Sequence, residues 1–254
     1  MESWTHPPCI STEGRASLVD WLVQSAAYLS VQAETVNISL KLMDRYIRSL
    51  TARRKRVNQR WTRWIAGVCL LMGCKYMEAE IPRLESIFAF VFDESPSTRD
   101  SDPEWTKTVE NHIRFLDTVS RLSIETIEVW ILRAVDYTIK EHPQHFMHPS
   151  DHLFVYIYFQ VHLDVSVVDR YSSAVLYFGA HYLSCVVQGT EWRESENCPY
   201  DESELAQIAE QIYRDVHLIK KKYPDLCASA NVFRKSTGSD PTNILRHWRM
   251  KCDS

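Results

Sequence analysis

The stretch Trp61–Tyr76, WTRWIAGVCLLMGCKY, decides how this chain is read. Ile65, Val68, Cys69, Leu71 and Met72 recur at the i, i+3, i+4, i+7 spacing of a helix buried on more than one side. Ala66, Gly67 and Gly73 are small positions at which neighbouring helices can come close. A nearly all-apolar helix in a globular chain belongs at the centre of a bundle, so helices are expected around it. Lys75 ends a long run without charge. Taken alone, it is a lysine that snorkels off the end of a core helix.

Composition bounds the answer before the flanks are read. A chain of 254 residues suits one large domain or two ordinary ones. Apolar content of 45% and charged content of 24% are globular values, far from a disordered composition. Only 6 glycines beside 12 tyrosines and 8 tryptophans argue against a glycine-turn nucleotide fold or a loop-rich sandwich. A net charge of −4 supplies no global reason to expect nucleic acid as a partner. No apolar run reaches the roughly 18 residues of a membrane span, and Met1–Pro8 lacks a signal-peptide pattern. The 7 cysteines are odd in number and form no C-x-x-C pair, which suits reduced thiols in a cytosolic or nuclear protein.

Working outward, Arg15–Leu29 places Leu18, Leu22, Ala26 and Leu29 on one helical face, with Ser11, Thr12 and Glu13 offering cap chemistry. Thr35–Ile47 does the same through Val36, Leu40, Met43 and Ile47. Beyond the central helix, Pro82 fits the first turn of another, which Leu84, Ile87, Phe88 and Val91 continue. Asp93–Pro103 is a polar loop, and Trp105–Leu122 and Ser123–Ile139 regain helical periodicity. Lys140–Asp151, with Pro143 and Pro149, is a linker. Leu153–Leu163 and Tyr171–Val187 are apolar segments, and Asp201–Lys221 is amphipathic, with Lys220–Lys222 complementing its dipole. The period-2 alternation of strands is missing, so the expected class is all-α. The expected layout is a leader over 1–14, a first domain over 15–142 with a long insertion at about 93–122, a second over 143–222 and a tail over 223–254. Thr242–Trp248 is a candidate last short helix within that tail.

In this order the segments resemble a cyclin. RASLVDWLV (15–23), ETVNISLKLMDRYI (34–47), WIAGVCLLMGCKYMEAEIP (64–82) and IEVWILRAVDYTI (127–139) are similar to the first, second, third and fifth helices of the cyclin box. GTEWRES (189–195) resembles a loop of the second box. The resemblance implies a cyclin fold of two consecutive helical boxes, the second divergent and shortened. It assigns Arg15 and Asp44 to a buried ion pair between the first two helices, a device that fixes register. It assigns Lys75 and Glu128 to the pair that hydrogen-bonds a kinase's mobile helix, with Tyr76 as the aromatic at the same contact. Gly14 and Ser17 stand where the family's substrate-docking patch has methionine and isoleucine, which leaves Leu18, Trp21 and Gln24 as a residual patch. Trp64 replaces a usual leucine, and after the lysine Met77 replaces the first of two glutamates while Glu78 keeps the second. The long connection after residue 93 is similar to transcription-type cyclins such as the T and C types, whereas the first helix is similar to cell-cycle cyclins.

The implied function is that of a regulatory subunit, not an enzyme. It would bind and activate a cyclin-dependent serine/threonine kinase as a heterodimer, in nucleus and cytoplasm, in cell-cycle or transcriptional control. Kinase substrates or inhibitors are further partners it implies, with no cofactor, metal, nucleic acid or membrane. The alternative is a cyclin-box scaffold that activates no kinase, as in B-type general transcription initiation factors and retinoblastoma pocket proteins.

Other candidate chemistry is thin. His142, His145, His148 and His152 cluster, but prolines interrupt their spacing and no H-E-x-x-H helix occurs, so a histidine-rich linker is the reading. ARRKR (52–56) fits a nuclear-import signal, a phosphate contact or a solvated basic loop. Neither a phosphate-binding glycine loop nor a nucleophile elbow is present.

Overall fold

The computed structural model describes residues 9–53, 59–84, 86–87, 128–129, 131–133, 151–192 and 198–252. Residues 1–8, the basic run after Arg53, the insertion at about 93–122 and His142, His145 and His148 lie outside the described residues. Every regular element among the described residues is helical. In chain order these are α1 (Thr12–Tyr28), α2 (Ala33–Ala52), α3 (Gln59–Met77), α4 (His152–His162), α5 (Val165–Val168), α6 (Ser173–Gln188), α7 (Glu202–Lys222), α8 (Ala228–Thr237) and α9 (Pro241–Cys252). The chain divides into two compact units: Met1–Ser11 with Ser25–Glu141, and Thr12–Gln24 with His142–Ser254.

The first unit is built on α2 packed along α3. The expected ladder Val36, Leu40, Met43, Ile47 is buried throughout. Opposite it, Ile65, Ala66, Val68–Met72 and Cys74 are also buried, so α3 is the interior helix its composition demands. Gly73 makes the closest approach possible. A Cβ there would stand 2.3 Å from Ser39 Oγ and 2.9 Å from the Thr35 carbonyl oxygen. Burial, with the Asp44 charge adding to it, pushes the Cys69 thiol far up, and burial with Glu78 pushes Cys74 up to about 12. Both thiols are therefore core groups rather than nucleophiles.

The second unit is centred on α4, whose HLFVYIYFQVH is buried from Leu153 to His162 except at Val155. Helices α6, α7 and α8 all pack against it. Asp151 caps α4 by accepting from Phe154 N at 2.9 Å, and Ser184 Oγ of α6 donates to the same carboxylate oxygen at 2.7 Å. Helix α7 opens on a capping box between Asp201 and Glu204. Gly179 of α6 seats against Ile208 and Ile212 of α7.

At three expected boundaries the described residues differ from the sequence reading. Residues 223–254 are not a tail: α8 and α9 bury Ala228, Ala230, Phe233 and Leu245, and the Phe233 ring lies 6.1 Å from that of Tyr156. Their inward residues are few and mostly small, so the segment looked polar and unpatterned. Residues 15–24 do not join the first unit. Arg15 Nη1 donates to the His162 carbonyl at 2.7 Å, and Ala228 N donates to Asp20 Oδ1 at 2.7 Å, which ties this part of α1 to the second. Helix α1 also starts earlier than the leader boundary at 14 allows, at Thr12, with Glu13 in its first turn.

Candidate functional site

At the end of α3 the buried face runs out. Cys74 is fully buried, and the next two residues, Lys75 and Tyr76, are exposed. Lys75 Nζ lies 2.6 Å from Glu128 Oε1, so two residues 53 positions apart in sequence meet in one ion pair. Glu128 and Val129 are helical, and Ile131, one turn on, is completely buried. The side chains of the pair are 47% and 16% exposed for lysine and glutamate.

An ion pair that open to water stabilises a fold by no more than about 1 kcal/mol. Its chemistry is of another kind. A lysine ammonium has three donors and a carboxylate several acceptor sites, so each partner keeps capacity for groups beyond the other. Such a pair can grip carbonyl and amide groups at the end of a foreign helix with little loss to its own fold. Tyr76 and Val129, the sequence neighbours of the two charged residues, are 42% and 40% exposed, and Ile81, six residues past Lys75, is 49% exposed. Exposed apolar side chains of that size beside a charged pair supply contact area for a partner surface.

Glu78, two residues past Tyr76, stands out in sequence only as the second glutamate of a family motif. Glu78 Oε1 accepts from Gln32 N at 2.9 Å and from Thr35 Oγ1 at 2.5 Å, joining the end of α3 to the start of α2. A Thr at the third helical position of α2 and a Gln at its cap, with no capping glutamate of its own, were the only sequence signs that a cap must come from elsewhere.

Other expected residues are placed differently. Of the expected residual patch, Leu18 is 4% exposed, and Trp21 and Gln24 are half-buried. Arg15 is buried, its Nη1 donating to the His162 carbonyl, and Asp44 lies on α2. Among the described residues, no group of three or more His, Cys, Asp or Glu could hold a metal ion, and no helix is long and apolar enough to cross a membrane.

The family described as "Cyclin, N-terminal domain" matches residues 3–140. The chain is similar to Cyclin-B2-2 of Arabidopsis thaliana, at 24% identity over 213 residues, covering 81% of this chain and 44% of that protein. It is 29% identical over 106 residues to Cyclin-A1-4 of Oryza sativa subsp. japonica, covering 42% of this chain and 28% of that one. With G2/mitotic-specific cyclin-1 of Medicago sativa subsp. varia it shares 26% identity over 124 residues, or 49% and 26% of the two chains. The matched regions thus span less than half the length of these relatives.

Proposed function

Because this chain belongs to the cyclin family, whose members are regulatory subunits rather than enzymes, we propose that it binds and activates a cyclin-dependent serine/threonine kinase. The observation that carries the reading is the Lys75–Glu128 pair, at the positions where the family grips the kinase's mobile helix. Bound there, the chain would favour the kinase conformation with that helix held inward, and activation is then a population shift set by differential affinity. Tyr76, Ile81 and Val129 would supply the bulk of the contact, and the charged pair its register. A heterodimer in nucleus and cytoplasm and a role in cell-cycle or transcriptional control belong to the same proposal. The relatives named for mitotic and for A- and B-type cyclins support the cell-cycle branch.

Co-purification with candidate kinases tests it. Wild type is expected to retain a cyclin-dependent kinase and raise its activity. Lys75→Ala/Glu128→Ala is expected to lose at least tenfold in affinity, as removal of two charge-assisted contacts implies. Capture of no kinase, or equal activation by the double variant, would remove the reading and leave the scaffold alternative.

A further inference from the structure

Gln32 is the N-cap of α2, and its side chain makes no cap hydrogen bond. In a capping box, a glutamate at the third helical position reaches back to the N–H of the cap residue. In α2 that position holds Thr35, and the carboxylate comes from another helix. Glu78 N donates to the Cys74 carbonyl at 2.9 Å, which carries the last turn of α3 one residue past Met77. Its Oε1 then accepts from both Gln32 N and Thr35 Oγ1. A carboxylate at this point also meets the positive end of the α2 dipole.

One turn earlier, Gly73 presses on the same turn of α2, close to the Thr35 carbonyl and to Ser39 Oγ, which itself donates to Thr35 O at 2.6 Å. The final turn of α3 is therefore tied to α2 at residue 73 and again at residue 78. Lys75 and Tyr76 lie between those ties. A half-exposed ion pair is too weak to order its own backbone. The position of Lys75 must then come from the helix beneath it.

We propose that Glu78 is a positioning residue: by capping α2 in trans, it fixes the register of the last turn of α3 and with it the reach of Lys75. This rests on the reading of Lys75 and Glu128 as a kinase-docking pair, and it adds a residue whose side chain hydrogen-bonds α2 rather than that pair. A serine, threonine or aspartate at position 32 would cap α2 without tying it to α3. The glutamate does both.

The probe is a recombinant cell-cycle cyclin-dependent kinase, titrated calorimetrically against wild type, Lys75→Ala, Glu78→Ala, Glu78→Gln, Thr35→Val and Lys75→Ala/Glu78→Ala, each with its melting curve. Glu78→Ala is expected to weaken kinase binding roughly tenfold, and Thr35→Val, which removes one donor only, by less. Glu78→Gln keeps both acceptor contacts and is expected to restore most of the affinity. In the Lys75→Ala background, Glu78→Ala is expected to add little, because the two act through one contact. Amide hydrogen exchange at Tyr76 and Met77 is expected to quicken in Glu78→Ala and not in Glu78→Gln. If Glu78→Ala lowers the melting temperature while leaving affinity intact, or weakens binding equally with and without Lys75, the positioning role is overturned and the docking pair stands. If Lys75→Ala leaves affinity unchanged, or wild type binds no kinase, the docking reading falls and the proposal falls with it.

Discussion

Ser30 closes α1 with a φ of 56°, the only positive φ outside glycine among the described residues. Val31 N donates to Ala26 O at 2.9 Å and Leu29 N to Ser25 O at 3.0 Å, a Schellman-type ending that requires a left-handed residue between helix and strand-like exit. A serine there carries a conformational cost that glycine does not. Ser30→Gly is expected to stabilise the first unit by about 0.5–1 kcal/mol, read as a higher urea midpoint with an unchanged slope. At this scale the candidate site was half legible. Lys75 stood out as the first charge after an apolar run, and Glu128 only through family resemblance, since nothing in local periodicity links residues 53 positions apart. Glu78 was visible as a motif remnant but not as a cap, because its two donors sit on a different helix. Helical periodicity says that Leu18 faces something, without saying whether that is core or solvent, and the fold buries it.

Among the elements, α2, α3, α4, α6 and α7 follow from their apolar spacing, and the small residues within them from the need for close approach. The central helix was read as surrounded, and its neighbour α2 meets it at Gly73. Helix α8 has no counterpart in the sequence reading, and α9 only the short candidate Thr242–Trp248. Their buried residues are small (Ala228, Ser229, Ala230) or isolated (Phe233, Leu245), so no wide apolar stripe marks them. Yet Phe233 and Ser229 both meet α4, the latter donating to Gln160 Oε1 at 3.1 Å. Truncation after residue 222 is therefore expected to destabilise the second unit by more than about 3 kcal/mol, the scale of losing one large buried aromatic with its surroundings. Limited proteolysis and a thermal melt would show it, and a truncated chain that melts like the full one would restore the tail reading.

For the whole molecule, the acid-base balance lies in buried carboxylates rather than in the net charge. Burial pushes the Asp20 carboxyl up to about 6 from its ordinary 3.8, although Ala228 N donates to it. Below 3.8 it is protonated in both states; between 3.8 and 6 the folded form holds a proton that the unfolded chain has released. Stability of the second unit therefore falls as pH rises through that window, by at most about 3 kcal/mol, and levels off above it. Asp164 acts in the opposite sense. Burial would raise it, but hydrogen bonds from Lys222 and Ser166 outweigh burial and hold it below its ordinary value, so its contribution is lost as the medium turns acid. Urea denaturation is expected to show the Asp20 decline between pH 3.8 and 6, and Asp20→Asn, which still accepts from Ala228, is expected to flatten it while keeping the acid limb. Helix content, the interior place of α3 and the family all lay in the sequence, because apolar period and small-residue spacing act along one chain segment at a time. The meeting of Lys75 with Glu128, the trans cap from Glu78 and the grouping of Thr12–Gln24 with His142–Ser254 were decided only in three dimensions. Each depends on which polar groups remain unsatisfied once helices pack, and that depends on partners distant in sequence.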